Sequence, residues 1–452
     1  MRKKLLMTSL AAVLAVGITA CSPGGGATSS SSTSSAAGSV AAGTASPTGA
    51  LAPSTITMWT SIAGPQGDVL DAFGKSFQTA HPGTTVTIIH MADVDLKQKV
   101  QAALVTKSLP TVIQWYGGSF LAPVTNSGVL TDLTAYINGA PQWKAGLINN
   151  ALTNYTQAGK TYMVPVEAPT VQLFYNKSLL SKAGVSAPPA TWDQLIATVG
   201  KLKSAGITPI TVDGQDGWPI QEWFTYLTMR NGGAGTLQAA LDGKTPWTAP
   251  AFVTAGTQLK QLIDAGGFQN GYLGTGYDQA VANYANSKAA MILLGSWLLG
   301  TLSTPDNKAV LAQTGFVPFP TVPGGKGPIT ETQGGPNAAF GISSAAGNKD
   351  AAWEFIKGFT STDQASKVAE QALSLVPNKI TIDTTKVPAI YNDAVSFLGK
   401  STAFNLFWNE VLPPQQNTKF TNLQNSMVAG QISPQQMMSN FGDYMKAHPV
   451  PK

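Results

Sequence analysis

The sequence predicts an α/β fold with a largely parallel sheet. Two observations predict it. Hydrophobic patterns of period two and period 3.6 alternate along the chain, the rhythm of strands connected by helices. About 400 residues follow a low-complexity leader, room for two or three domains of the usual size.

The elements follow in order. Residues 54–59 alternate as a strand that ends on Trp59, and Gly64-Pro65-Gln66-Gly67 is expected to break it. Val69, Leu70, Phe73 and Phe77 recur at helical spacing, and His81-Pro82-Gly83 stops that helix. Residues 85–89 are a second, β-branched strand. Leu96, Val100 and Leu104 mark a second helix that ends near Pro110, and 111–115 form a third strand. Further on, Thr191 and Gln194 have the spacing of a capping box. It opens a helix carrying Leu195, Ile196, Val199 and Leu202. Gly206 ends that helix before a strand over 207–212. Helical phase makes Trp192 and Trp353 core residues, the latter with Phe355, Ile356 and Phe359 in a helix over 351–359. A terminal helix over 434–445 is expected to bury Met437, Phe441 and Tyr444.

The leader carries its own information. Arg2, Lys3 and Lys4 precede an apolar run over 5–17 that is short of the ~20 residues a membrane span needs. This is the pattern of a secretory signal over residues 1–20. Cys21, the only cysteine in 452 residues, follows at once. It stands where a bacterial lipoprotein signal places its acylated cysteine, and lipidation would remove a free thiol from an exported chain. Residues 21–53 are Ser, Gly, Ala and Thr with almost no bulky side chains, a composition expected to be disordered. The expectation is a body held outside the cell membrane of a bacterium by an N-terminal lipid.

Charged residues make up 11% of the chain, against a usual ~25%. The formal charge of +5 falls by three when Arg2, Lys3 and Lys4 leave with the signal, and no basic cluster offers a nucleic-acid footprint. Only His81, His90 and His448 are present, in no metal-ligand spacing, so neither a zinc site nor a histidine-based nucleophilic triad is expected. No cofactor-binding glycine motif is found. The chain does hold aromatics at predicted element ends: Trp115-Tyr116, Trp218, Trp223-Phe224 beside Glu222, Trp297 and Trp408. In open α/β sheets ligands sit beyond the carboxyl ends of the strands. Flat rings with Asn, Gln and Glu at their rim suit a sugar, which has apolar C–H faces and polar edges.

Five segments carry a family resemblance. They are 56–59 with the helix and His81-Pro82-Gly83 that follow; Leu109-Pro110-Thr111-Val112; Tyr175-Asn176-Lys177 with Pro189 to Trp192; Ala289-Ala290-Met291 with Gly295-Ser296-Trp297; and Gly334-Gly335 with Phe340-Gly341-Ile342. In order and spacing the chain resembles the maltose-binding-protein-like sugar-binding lipoproteins of ABC importers, extracellular solute-binding protein family 1. The resemblance implies a type II periplasmic-binding-protein-like fold: two discontinuous α/β lobes, a hinge and a ligand cleft between them. Lobe 1 would comprise 54–166 and 317–376, and lobe 2 would comprise 167–316 and 377–452. The chain would cross first near Glu167, return near 316–320, and cross last near Val376.

It also implies ligand-binding roles for Trp59, Ser61, Gln66, Trp115, Tyr116, Glu167, Gln221, Glu222, Trp223, Phe224, Trp297 and Trp408, with one of Trp223 and Phe224 facing the cleft. Residues 226–232 resemble relatives that take short plant-wall- or chitin-derived oligosaccharides. The implied protein is a monomer that binds an oligosaccharide, needs no cofactor or metal, and hands its ligand to importer permease subunits. Two alternatives stay open. One is a tethered glycosidase using Glu167 and Glu222 as its carboxylate pair. The other is a peptide- or amino-acid-binding protein of the same architecture, for which Arg230 would be the candidate cation.

Overall fold

The computed structural model describes residues 51–450, so the signal, Cys21 and nearly all of the low-complexity segment lie outside the described residues. Two sheets organise the rest. In the first, the order is Thr84–His90, Ser54–Thr60, Val112–Trp115, Ala339–Ile342, Met163–Pro165. Ser54–Thr60 pairs in parallel with both of its neighbours, and Ala339–Ile342 runs antiparallel between Val112–Trp115 and Met163–Pro165, so the sheet is mixed where a largely parallel one was expected. In the second, the order is Thr314–Val317, Val171–Asn176, Ala289–Gly295, Thr208–Ile210.

The local signals operate as expected, with small shifts. Gly64-Pro65 does not merely break the first strand; it begins the helix Gly64–Ala80, where Pro65 occupies a first-turn position that needs no N–H partner. That helix buries Val69, Leu70 and Phe77 against the first sheet. Both arms of the Thr191–Gln194 box form, at 3.3 Å each, and open the helix Trp192–Ser204. A second box, Ser433 with Gln436, opens Pro434–Ala447. There Met437, Met438, Phe441 and Met445 are buried. Tyr444, expected inside, is half-buried and stacks on His448.

Separate apolar cores support the two sheets. Ile56, Met58, Val112, Phe340 and Trp353 belong to the first. Leu173, Trp192, Trp223, Phe252, Trp408 and Phe441 belong to the second. A further cluster covers the other face of the second sheet through Phe174, Ile292, Leu299 and Tyr391.

The chain passes between the sheets along segments that lie side by side. Segment 166–170 leaves the first sheet and enters the second. Segment 334–338 returns antiparallel to it, through Val166 N–H to Ala338 O at 2.9 Å and Gly335 N–H to Pro169 O at 2.9 Å. Ala168 N–H also donates to Leu375 O at 2.7 Å, which ties in a third segment. The return expected near 316–320 is therefore corrected. Phe319 stays with the second lobe, stacked on Tyr226 at 4.6 Å, and the chain rejoins the first sheet only at Ala339. Gly334 explains where the return can occur. Its φ of 127° and a Cβ position blocked by the Pro169 carbonyl admit only glycine.

Candidate functional site

The strands aim a shared opening. Ser61, Tyr116 and Glu167 follow the carboxyl ends of first-sheet strands, while Asp213 and Trp297 follow those of Thr208–Ile210 and Ala289–Gly295. The hinge segments run between them. Loops from both lobes meet at the rim: Ser119 Oγ donates to Leu412 O at 2.7 Å, and a Cβ on Gly118 would strike the Glu410 carbonyl. On another side the helix Gly64–Ala80 packs against Leu298–Leu302. The lobes are thus apposed around the cleft.

On the first-lobe wall, Gln114 organises the polar groups. Its Oε1 accepts from Thr60 Oγ1 at 2.6 Å and Ser61 N–H at 2.8 Å, while its Nε2 donates to Ser61 Oγ at 3.0 Å. The Tyr116 hydroxyl donates to Asp93, whose other oxygen accepts from Lys97 at 2.6 Å. Gln66 keeps a buried Nε2 without a partner among the described residues.

The second-lobe wall is aromatic and acceptor-rich. Trp297 is half-buried and donates from its indole nitrogen to Tyr277 Oη at 2.9 Å. Trp218 lies 5.8 Å from Tyr277 and 6.3 Å from Trp297, ring centre to ring centre. Beside them Glu222 is 2% exposed, and neither carboxylate oxygen has a hydrogen-bond partner among the described residues. Burial pushes its carboxyl well above the usual range, and Asp213 adds to the rise. Gln333 spans to the same residue, its Nε2 donating to Glu222 O at 2.7 Å.

Several expected site residues are not at the cleft. Trp115 is fully buried, its indole nitrogen tied to Phe120 O at 2.9 Å beneath the 118–120 turn. Trp223 packs edge-on against Phe268 and Phe319, and Phe224 against Trp408 and Phe420, so both face the second-lobe core. Trp408 is 2% exposed among Phe224, Trp247, Phe252 and Phe420. Gln221 is held by Asn417 Oδ1 at 3.0 Å. Trp59 lies beneath Lys99, whose ammonium sits 4.3 Å from the ring centre. Arg230 is buried too, donating to Phe319 O, Pro328 O and Glu331 O, and so serves as a strut.

Three carboxyls gather near the hinge. Glu167 is half-buried, and burial pushes it up to about 7, with Asp93 adding and the Ala338 backbone opposing. Glu410 reaches in from the second lobe. Burial pushes it up to about 8, Lys97 opposes, and Asp93 and Glu167 add. Glu167 and Glu410 therefore hold protons in the folded state that an unfolded chain releases near the ordinary carboxylate value of 4.5. Their contribution to stability is complete below that value. It declines as pH rises and is lost through about 7 to 8. The melting temperature of the ligand-free protein should fall between about pH 4.5 and 8, and Glu410→Gln should flatten that slope. Calorimetry showing a level or rising trend, or an unaltered slope in the variant, would contradict this electrostatic assignment.

Asp93, Lys97, Asp213, Tyr277, Gln333 and Glu410 join the candidate site beyond the residues expected from sequence, and Trp218 joins it from among the aromatics noted at element ends. Among the described residues no group of acidic, histidine or cysteine side chains is placed to hold a metal, and no helix is long and apolar enough to cross a membrane.

Comparison with known proteins fits this architecture. The chain is similar to the multiple sugar-binding protein of Streptococcus mutans, 26% identical over 304 residues that cover 65% of this chain and 68% of that one. It is also similar to the sn-glycerol-3-phosphate-binding periplasmic protein of Salmonella typhimurium, 24% identical over 265 residues, 56% of this chain and 59% of that one. A solved structure described under xylan utilization by the thermophilic bacterium Caldanaerobius polysaccharolyticus superposes with a TM-score of 0.82 at 26% identity, covering 86% of this chain and all of that one. The family model described as bacterial extracellular solute-binding protein matches residues 62–366. With two lobes, three hinge segments and an interlobe cleft in place, the chain belongs to the bacterial extracellular solute-binding proteins.

Proposed function

We propose that the cleft captures an oligosaccharide and that the protein delivers it to the permease of an ABC importer by opening and closing about the hinge. The observation that carries this reading is the second-lobe wall. There half-buried Trp218, Tyr277 and Trp297 present flat faces beside acceptor atoms that have no partner among the described residues. Sugar rings stack on such faces, and their hydroxyls donate to such acceptors. The family consists of binding proteins, not enzymes, so Glu167 and Glu222 act here as binding groups.

Charge separates the remaining ligand classes. Asp93, Glu167, Asp213, Glu222 and Glu410 converge near the opening, against Lys97, which is already paired. A phosphate ester such as glycerol phosphate would add like charge to a desolvated acidic site, which is costly. A free amino acid needs a cation for its carboxylate, and Arg230 is committed elsewhere. The resemblance to a structure from a xylan-utilization study supports an oligosaccharide as the ligand class.

Titration calorimetry against a panel of xylo-, cello- and chito-oligosaccharides tests this. The expected result is at least one micromolar ligand, roughly −8 kcal/mol, with no response to glycerol phosphate. Binding of glycerol phosphate and of none of the sugars would overturn the proposal. Anchoring through a lipid on Cys21 belongs to the same proposal. Cys21→Ser should move the protein from the membrane fraction to the medium, and a variant still held by the membrane would refute anchoring.

A further inference from the structure

The donor and acceptor inventory around Glu222 is unbalanced. Both Glu222 oxygens and Asp213 Oδ2 are buried acceptors without partners among the described residues. Gln333 Oε1 is another, because the amide nitrogen of Gln333 is spent on the Glu222 carbonyl at 2.7 Å. That bond also fixes which end of the amide is oxygen. Of the ring donors close by, the Trp297 indole N–H is committed to Tyr277 Oη at 2.9 Å. Four buried acceptor atoms of the subsite are therefore left for a ligand to satisfy.

A hydroxyl can satisfy one of these acceptors, since it brings a single donor together with its lone pairs. An ammonium group brings three donors and no acceptor. Its charge relieves the repulsion between Glu222 and Asp213. Trp218, Tyr277 and Trp297 stand around the same place, with ring centres 5.8 and 6.3 Å apart, and their faces attract a cation. Two independent features, a buried acceptor set and an aromatic surround, thus favour the same chemistry.

We propose that Glu222, with Asp213 and Gln333, forms a subsite for a protonated amine, so that the preferred ligand is an oligosaccharide containing a free amino sugar. The proposal rests on the oligosaccharide reading and sharpens it. The first-lobe wall and the hinge read the neutral hydroxyls, and this corner of the second lobe selects the charged residue of the ligand. An N-acetylated sugar is disfavoured here, because its amide is neutral and its carbonyl would face carboxylates.

The β-1,4-linked trimers of glucosamine, glucose and N-acetylglucosamine differ only at C2 and serve as probes. Calorimetry at pH 7 should give the glucosamine trimer at least a tenfold lower Kd than the glucose trimer, with the N-acetylated trimer weakest. In Glu222→Gln the ratio of glucosamine to glucose affinities should collapse to within threefold of one, with a near-UV circular dichroism spectrum like that of the unaltered protein as the check on folding. A glucose or N-acetylglucosamine trimer bound as tightly as the glucosamine trimer by the unaltered protein would overturn the amine subsite and leave the oligosaccharide reading standing. Failure of all three trimers, and of every other sugar in the panel, would overturn both. If Glu222→Gln does not fold, the ratio measured on the unaltered protein decides alone.

Discussion

Trp408→Ala is expected to lower the unfolding free energy by roughly 3–5 kcal/mol, the usual cost of truncating a large buried aromatic. Trp408 is 2% exposed, and four rings close around it, Phe420 at 5.1 Å, Phe224 at 5.4 Å, Phe252 at 5.9 Å and Trp247 at 6.3 Å. Affinity in the folded fraction should change less than threefold. Denaturant unfolding followed by calorimetry on the surviving protein separates the two effects. A variant of unaltered stability that has lost its ligand would place Trp408 in the cleft instead.

Trp297→Ala should have the opposite profile. Its ring is half-buried, held by one hydrogen bond to Tyr277 at 2.9 Å and by contacts at 6.2 and 6.3 Å with Phe407 and Trp218. The expected loss is at least tenfold in oligosaccharide affinity, ~1.4 kcal/mol or more. Trp297→Phe should recover part of it, because a smaller flat face remains. Melting temperature should change far less than in Trp408→Ala. Unaltered affinity in a folded Trp297→Ala protein would remove the main stacking surface from the account.

These two tryptophans look alike in sequence, and the reason is physical. Each is a lone tryptophan at an element boundary, Trp297 after Gly295-Ser296 and Trp408 after Leu406-Phe407, and the sequence does not show which neighbours the chain brings to it. Helix Trp218–Gly232 makes the same point. Every residue from Pro219 to Arg230 is buried, so no polar stripe marks its outer face and helical phase cannot tell core from cleft. That is why Trp223 and Phe224 read as ligand contacts. Trp115 ends its strand where a ligand would be expected, but the 118–120 turn folds over it. Local chemistry, by contrast, was legible. The Thr191 capping box and the strands at 54–59 and 111–115 depend on neighbours in sequence. The Asp93–Glu167–Glu410 gathering depends on three distant segments and left no local trace. Gly334 is intermediate: the glycine pair stood out, while its role against Pro169 needed the fold.

The most direct test is a crystal structure with the tightest oligosaccharide found by calorimetry. The account predicts a sugar ring against Trp297 and Trp218, a polar group of that ring within hydrogen-bond distance of Glu222, and the lobes apposed at Gly118 and Glu410. A ligand bound outside the cleft, or within it but clear of both Trp297 and Glu222, would contradict the account.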